Sequence, residues 1–145
     1  MKAGQRRLHL AEPPAQYLVR PPVVIDCSAL AGLVFSEPWQ AQAEQSIRGR
    51  QLHAPHLLQS EIASVAVKKM RRGEAHAAAG LAFAAEMEID LHRIDPPAVA
   101  ALAMRYGLSA YDAAYLWLAA ELKAPLATFD EKLAAAAQAH LASLP

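Results

Sequence analysis

Four carboxylates in this chain stand in short stretches that are otherwise apolar or small. They are Asp26 in VVIDCSAL, Glu61 in LLQSEIASV, Asp112 in SAYDAAYLWLA and Asp130 in PLATFDEKL. Acids in globular chains sit mostly on solvated faces, because an unpaired buried charge is costly. Few lysines or arginines flank these four in sequence, so a bound cation is the simplest neutraliser. Oxygen-only donors favour hard divalent ions such as Mg²⁺ or Mn²⁺, and those ions assist hydrolysis.

Each acid also has a simpler reading. Asp26 follows Val23-Val24-Ile25 and precedes Cys27, so it leaves a buried strand but also suits a helix N-cap. Glu61 falls between Leu57 and Leu58 on a helical wheel, close to Val65. Its i+3 and i+4 neighbours are Ser64 and Val65, so no local cation pairs with it, and snorkelling at the edge of an apolar stripe is the alternative. Asp112 with Ser109 fits a variant capping box, and Asp130 fits an N-cap. The functional argument is therefore a joint one. Carboxylates brought within a few ångströms of each other raise at least one pKa unless a cation intervenes.

Strands and helices alternate along the chain, which predicts a parallel sheet covered on both faces. Strands are expected at Val23–Ile25, Gln51–Ala54, Glu88–His92 and Pro125–Phe129. Helices are expected over Ser28–Phe35 and from about Ser36-Glu37-Pro38. Another runs from a first turn at Pro55 to a stop at Gly73, and others over Glu74–Glu86, from Asp95-Pro96-Pro97 to Tyr106-Gly107, from Ser109 to Glu121 and from Asp130 onward. Ligands of open α/β sheets sit outside the carboxyl ends of the strands. Asp26 and Asp130 each follow a strand, so the topology brings them to that edge.

The 145 residues form one domain with 54% hydrophobic content, carried largely by Ala and Leu. Residues 1–22, with Pro13, Pro14, Pro21 and Pro22, read as a proline-rich arm ahead of a domain over 23–145. Basic and acidic residues balance at 14 each, so overall charge announces no nucleic-acid partner and any basic surface is local. The single cysteine, Cys27, excludes an internal disulfide and fits a reducing compartment. No apolar run reaches the roughly 18–20 residues of a membrane span, and the N-terminus has no apolar signal core. A cytoplasmic protein without a membrane partner is expected.

The residues around these acids resemble those of the PIN-domain ribonucleases, and among them the VapC-type toxins of toxin–antitoxin pairs. The resemblance runs from about Val23 to Leu133. It is carried by Asp26-x-Ser28 followed by Ala29-Leu30, Ser60-Glu61, Tyr111-Asp112-Ala113-x-Tyr115 and Thr128-x-Asp130. It implies a three-layer α/β/α sandwich around a central parallel sheet of four to five short strands. The fifth strand is in question because the chain closes on QAQAHLASLP, without the glycine and β-branched strand common in the family. It further implies that Asp26, Glu61, Asp112 and Asp130 hold Mg²⁺ or Mn²⁺ and hydrolyse RNA, with Ser28 and Thr128 orienting the carboxylates from behind. A VapB-type antitoxin and a homodimer are the implied partners.

An RNA substrate needs cations along its phosphates. Arg48, Arg50, Lys68, Lys69, Arg71 and Arg72 are the candidates, although the last four also suit a helix C-terminus before Gly73. Tyr111, Tyr115 and Trp117 read as core before base stacking. His53-x-x-His56 straddles Pro55 and does not make a one-face zinc pair. Cys27 lies beside an acid, which discourages a thiolate, and no glycine-rich phosphate loop is present. Two other functions share these residues: a non-catalytic RNA- or protein-binding module of the same fold, and a metal-dependent nuclease or phosphatase with another substrate.

Overall fold

The computed structural model describes residues 20–145, together with His9 and Ala11. The proline-rich arm expected over residues 1–22 lies almost wholly outside the described residues. Four parallel strands, β1 (Pro22–Ile25), β2 (Gln51–Pro55), β3 (Ile89–His92) and β4 (Leu126–Ala127), form one sheet in the order β3-β2-β1-β4. Seven helices flank them: α1 (Cys27–Val34), α2 (Gln40–Ile47), α3 (Leu57–Arg71), α4 (Ala77–Glu86), α5 (Pro96–Tyr106), α6 (Ala110–Leu122) and α7 (Glu131–Ala142). The result is the α/β sandwich expected from the alternation of elements. Four strands form among the described residues; after α7 the chain closes on a turn, with Ser143 N–H donating to His140 O.

β1 is central because Val23, Val24 and Ile25 are buried on both faces, as a strand covered by helices on each side must be. One core joins β1 and β2 to α1, α3 and the buried face of α6, through Leu30, Leu58, Ile62 and Tyr115. A second packs α5, α6 and α7 around Val99, Leu116 and Leu133. Helix α6 contributes to both, so its buried positions run nearly all round.

Four boundaries differ from the sequence reading, one of them the start of α4 at Ala77 rather than Glu74. Pro55 does not open a helix. It ends β2 opposite His92, and the donation that proline lacks passes to His56, whose N–H reaches His92 O at 3.1 Å. α2 starts at Gln40, because Ser36 adopts a left-handed φ of 55° and breaks the chain direction first. β4 is only two residues long, since Thr128 and Phe129 leave the ladder to hydrogen-bond the start of α1. That departure builds the site described next.

Candidate active site

At the carboxyl end of β1, Asp26 N–H makes a last sheet bond to Ala127 O at 3.3 Å. Its side chain then caps α1. Oδ1 accepts from Ala29 N–H at 2.9 Å and from Ser28 Oγ at 2.7 Å, and Oδ2 accepts from Thr128 Oγ1. Ser28 Oγ in turn accepts from Phe129 N–H, and Thr128 Oγ1 accepts from Asp130 N–H, both at 2.9 Å. Two hydroxyls thus stitch the ends of β1 and β4 together around one carboxylate. Asp26 is 5% exposed. Burial raises its proton affinity, the bonds from Thr128, Ser28 and Ala29 pull the other way, and the charge of Asp130 adds to the rise.

Glu61 projects from the first turns of α3 and accepts a hydrogen bond from the Tyr115 hydroxyl of α6. Burial raises its pKa, the Tyr115 bond opposes this, and the charges of Asp112 and Asp26 raise it further. Asp112 is the third residue of α6, where Ser109 Oγ accepts its N–H at 3.1 Å. Its pKa is raised by burial and by Asp130 and Asp26, with Ser109 and Lys132 opposing. Asp130 caps α7, accepting from Leu133 N–H at 2.8 Å. Four acids from four separate chain segments therefore lie within each other's field. Burial and the same acids push the Cys27 thiol up to about 12, and they push the Tyr115 phenol far up. Neither is a nucleophile at neutral pH.

Among the described residues, no three His, Cys, Asp or Glu side chains stand close enough to form a ready-made metal cage. Asp26 is engaged by Ser28 and Thr128, and Glu61 by Tyr115. The donors still suit a hard divalent ion. All are oxygens, three of the four carry raised proton affinities, and a bound cation relieves the repulsion that a proton otherwise relieves. Carboxylate oxygens keep lone pairs beyond their present hydrogen bonds.

The six basic candidates are not brought to this edge. Arg48 and Arg50 flank the start of β2, at the opposite end of the parallel strands. Lys68 lies seven residues beyond Glu61 and Arg72 eleven, which puts them about 10 and 16 Å further along the axis of α3. Lys69 is held by Glu37 at 2.7 Å and by Glu74 at 3.4 Å, and Arg72 lies 3.9 Å from Glu74. Lys132 is the cation that offsets Asp112, and the sequence reading missed it although it stands two residues after Asp130. Tyr115 was read as core, and it is, but its hydroxyl also holds Glu61. Its i, i+3 spacing from Asp112 on one helix face was the available signal. Tyr111 is 67% exposed, contrary to the core reading, because it points out of the first turn of α6.

Residues 23–139 match the family model described as the PIN domain. The chain belongs to the PIN-domain family. Among curated relatives, the VapC ribonuclease Mb0985 of Mycobacterium bovis is 33% identical over 121 residues, covering 81% of this chain and 93% of the relative. Ribonuclease VapC3 of Pyrobaculum aerophilum is 32% identical over 120 residues, covering 77% and 92%. Among solved structures, PAE2754 from Pyrobaculum aerophilum aligns with a TM-score of 0.65 at 24% identity, covering 85% of this chain and 88% of that one. Mycobacterium tuberculosis VapC20, described as a sarcin-ricin loop cleaving toxin, aligns at 0.57 and 14%, covering 79% and 94%. Those two likenesses show the PIN fold. Among the described residues, no helix is long and apolar enough to cross a membrane.

Proposed function

We propose that this PIN-domain chain is a Mg²⁺- or Mn²⁺-dependent endoribonuclease, the toxin of a toxin–antitoxin pair, with Asp26, Glu61, Asp112 and Asp130 as its metal-binding and catalytic acids. Family membership and relatives named as ribonucleases support the nuclease class. One observation carries the assignment to these residues: four acids distant in sequence gather at the carboxyl edge of a parallel sheet, where burial and the charge of neighbouring acids of the set raise the proton affinity of Asp26, Glu61 and Asp112.

A divalent ion bound there supplies Lewis acidity, making water a usable nucleophile near neutral pH and stabilising charge on the phosphate. The chain supplies positioning. Ser28 and Thr128 fix the plane of the Asp26 carboxylate from opposite oxygens, and Tyr115 fixes Glu61. Asp112 is held in the first turn of α6, its N–H bonded to Ser109 Oγ, and Asp130 is held at the cap of α7 by Leu133 N–H. Lys132 offers a cation to a phosphate beside Asp112. The remote basic residues Arg48, Arg50, Lys68, Arg71 and Arg72 would meet only an RNA extending well beyond the cut. A VapB-type antitoxin and a homodimer complete this reading.

The absence of a ready-made cage among the described residues, together with the capping bonds of Asp26 and Asp130, favours one competitor: a non-catalytic binding module with structural acids. Calorimetric Mn²⁺ titration of the parent, Asp26→Asn and Asp112→Asn decides between them, followed by a panel of RNA, single-stranded DNA and duplex DNA. The proposal expects saturable binding lost in both variants, and metal-dependent cleavage of RNA. No binding at millimolar Mn²⁺ would leave the acids as caps, and cleavage of DNA alone would reassign the substrate.

A further inference from the structure

Beside the acids lies an aromatic pair that the hydrolytic machinery does not use. Trp39, just before α2, and Phe129, between Thr128 and Asp130, stand with ring centroids 6.0 Å apart and planes at 53°. They are 40% and 38% exposed, although large aromatics are usually well buried. Their placement is built rather than incidental. Gly32 of α1 lies beneath the pair, where an added Cβ would come within 2.8 Å of Trp39 Cδ1 and 3.3 Å of Phe129 Cε2. Phe129 is also pinned through its backbone, since its N–H donates to Ser28 Oγ, the hydroxyl that holds Asp26.

The surroundings indicate what such a pair receives. From Phe129 and Thr128 a groove of about 490 Å³ runs along β4 between α2 and α7, with the Gln42 and Gln138 amides on its walls. That volume lies in the range of small-molecule sites. Amide side chains both donate and accept, so they can pair with base edges. Unpaired RNA bases are recognised by stacking on aromatic faces and by hydrogen bonding at their edges. We propose that Trp39 and Phe129 form a shelf on which an unpaired RNA base flanking the cleaved phosphate stacks, with Gln42 and Gln138 reading a neighbouring base edge. The proposal rests on the endoribonuclease reading and deepens it: the substrate is single-stranded at the cut, and the shelf helps select it. A protein segment inserting an aliphatic or aromatic side chain is the other occupant such a surface could take. Direct continuity with Asp26 and the polar walls favour RNA.

The test uses the full chain carrying Asp112→Asn, so that RNA is not consumed, and Trp117→Phe, so that Trp39 alone emits. Short single-stranded RNA oligonucleotides of mixed sequence are titrated while tryptophan fluorescence is followed. The shelf predicts saturable quenching. It also predicts that Trp39→Leu, read by fluorescence anisotropy of labelled RNA, binds about 5- to 150-fold more weakly, the range for losing one stacked base. Trp39→Phe should recover most of that loss, which a purely structural role would not explain, because Leu also fills the space over Gly32. Unquenched Trp39 and equal affinity in Trp39→Leu would overturn the shelf and leave the nuclease reading intact. Trp39→Leu that keeps RNA affinity but loses a protein partner would reassign the pair to protein docking. No RNA binding by any variant, with no cleavage by the parent, would overturn the ribonuclease reading itself.

Discussion

Replacing Asp26 with asparagine should stabilise the fold while abolishing metal binding. In the folded chain the Asp26 carboxylate is 5% exposed and sits in the field of Asp130. Keeping one carboxylate ionised at such a site costs several kcal/mol of desolvation. An asparagine in its place keeps an oxygen for Ala29 N–H and Ser28 Oγ, and can donate its amide to Thr128 Oγ1. All three bonds then change from charge-assisted to neutral, at about 1 kcal/mol each. The balance is a gain of about 1–2 kcal/mol at pH 7, or about 3–6 °C in Tm for a chain of this length.

The pH dependence follows from the direction of the shift. Because Asp26 binds its proton more tightly when folded, parent stability falls as pH rises from the ordinary carboxylate value of 3.8 through the raised folded value, and is flat above it. Parent and variant should therefore differ fully at pH 7 and converge below pH 3.8. Adding Mn²⁺ should reverse their order, because an ion at 100 times its Kd stabilises the parent alone by about 2.7 kcal/mol. Thermal melts followed by circular dichroism in EDTA at pH 7 and pH 3.5, then with Mn²⁺, test each step. A variant that melts below the parent at pH 7 in EDTA would refute the reasoning: Asp26 would then be a net-stabilising cap.

Tyr115→Phe removes the bond that holds down the pKa of Glu61. The acidic limb of the pH–rate or pH–metal-affinity profile should move to higher pH, with about 1 kcal/mol lost in stability; an unmoved limb would separate Glu61 from the titrating set. Cys27, with its thiol pushed up to about 12, should resist maleimide at pH 8 in the native state and react promptly in denaturant, whereas fast native labelling would contradict its placement beside Asp26 and Glu61. Gly80→Ala places a Cβ 2.4 Å from Val34 O, and Gly32→Ala places one 2.8 Å from a tryptophan side-chain atom. The first should cost about 2–3 kcal/mol and the second less, since a backbone carbonyl yields less than an exposed ring. Equal melting temperatures would show that α4 shifts freely on α1.

The sequence made legible what depends on local pattern. Val23-Val24-Ile25 before Asp26 announced a buried strand ending on an acid, and Ser109, Asp95 and Asp130 announced helix starts that the structure places within a residue or two. Features that depend on tertiary direction were not legible. Lys68 through Arg72 looked available to a substrate, but α3 starts at the acidic edge and carries its basic end away from it. β4 looked five residues long because Thr128 and Phe129 have strand propensity. Side-chain bonds to Asp26 and Ser28 outweigh that propensity and divert the chain. Trp39 stands nearly a hundred residues from Phe129, and no spacing rule links them.

For Asp26 and Asp130, capping and the proposed catalysis are compatible, because the capping bonds leave lone pairs on the same carboxylates. Asp26 caps α1 through Oδ1 while Oδ2 meets Thr128, and Asp130 caps α7 while its charge reaches Asp26 and Asp112. The coincidence has a physical basis. In parallel α/β topology each helix that follows a strand begins at the carboxyl edge of the sheet, so cap residues of successive units collect along that edge. A cap acid contributes one oxygen to backbone N–H groups, and a carboxylate has lone pairs to spare. Anchoring one oxygen also fixes the rotamer, so the remaining oxygen is presented to a cation with less conformational entropy left to lose. On the proposed reading, capping is the means by which this fold would orient acids toward a metal. Asp26→Ala, which removes the cap as well as the charge, should accordingly lose stability where Asp26→Asn gains it, by about 1 kcal/mol or more for the cap alone. Opposite signs in the two melts would separate the cap from the buried charge, and equal signs would dissolve that distinction.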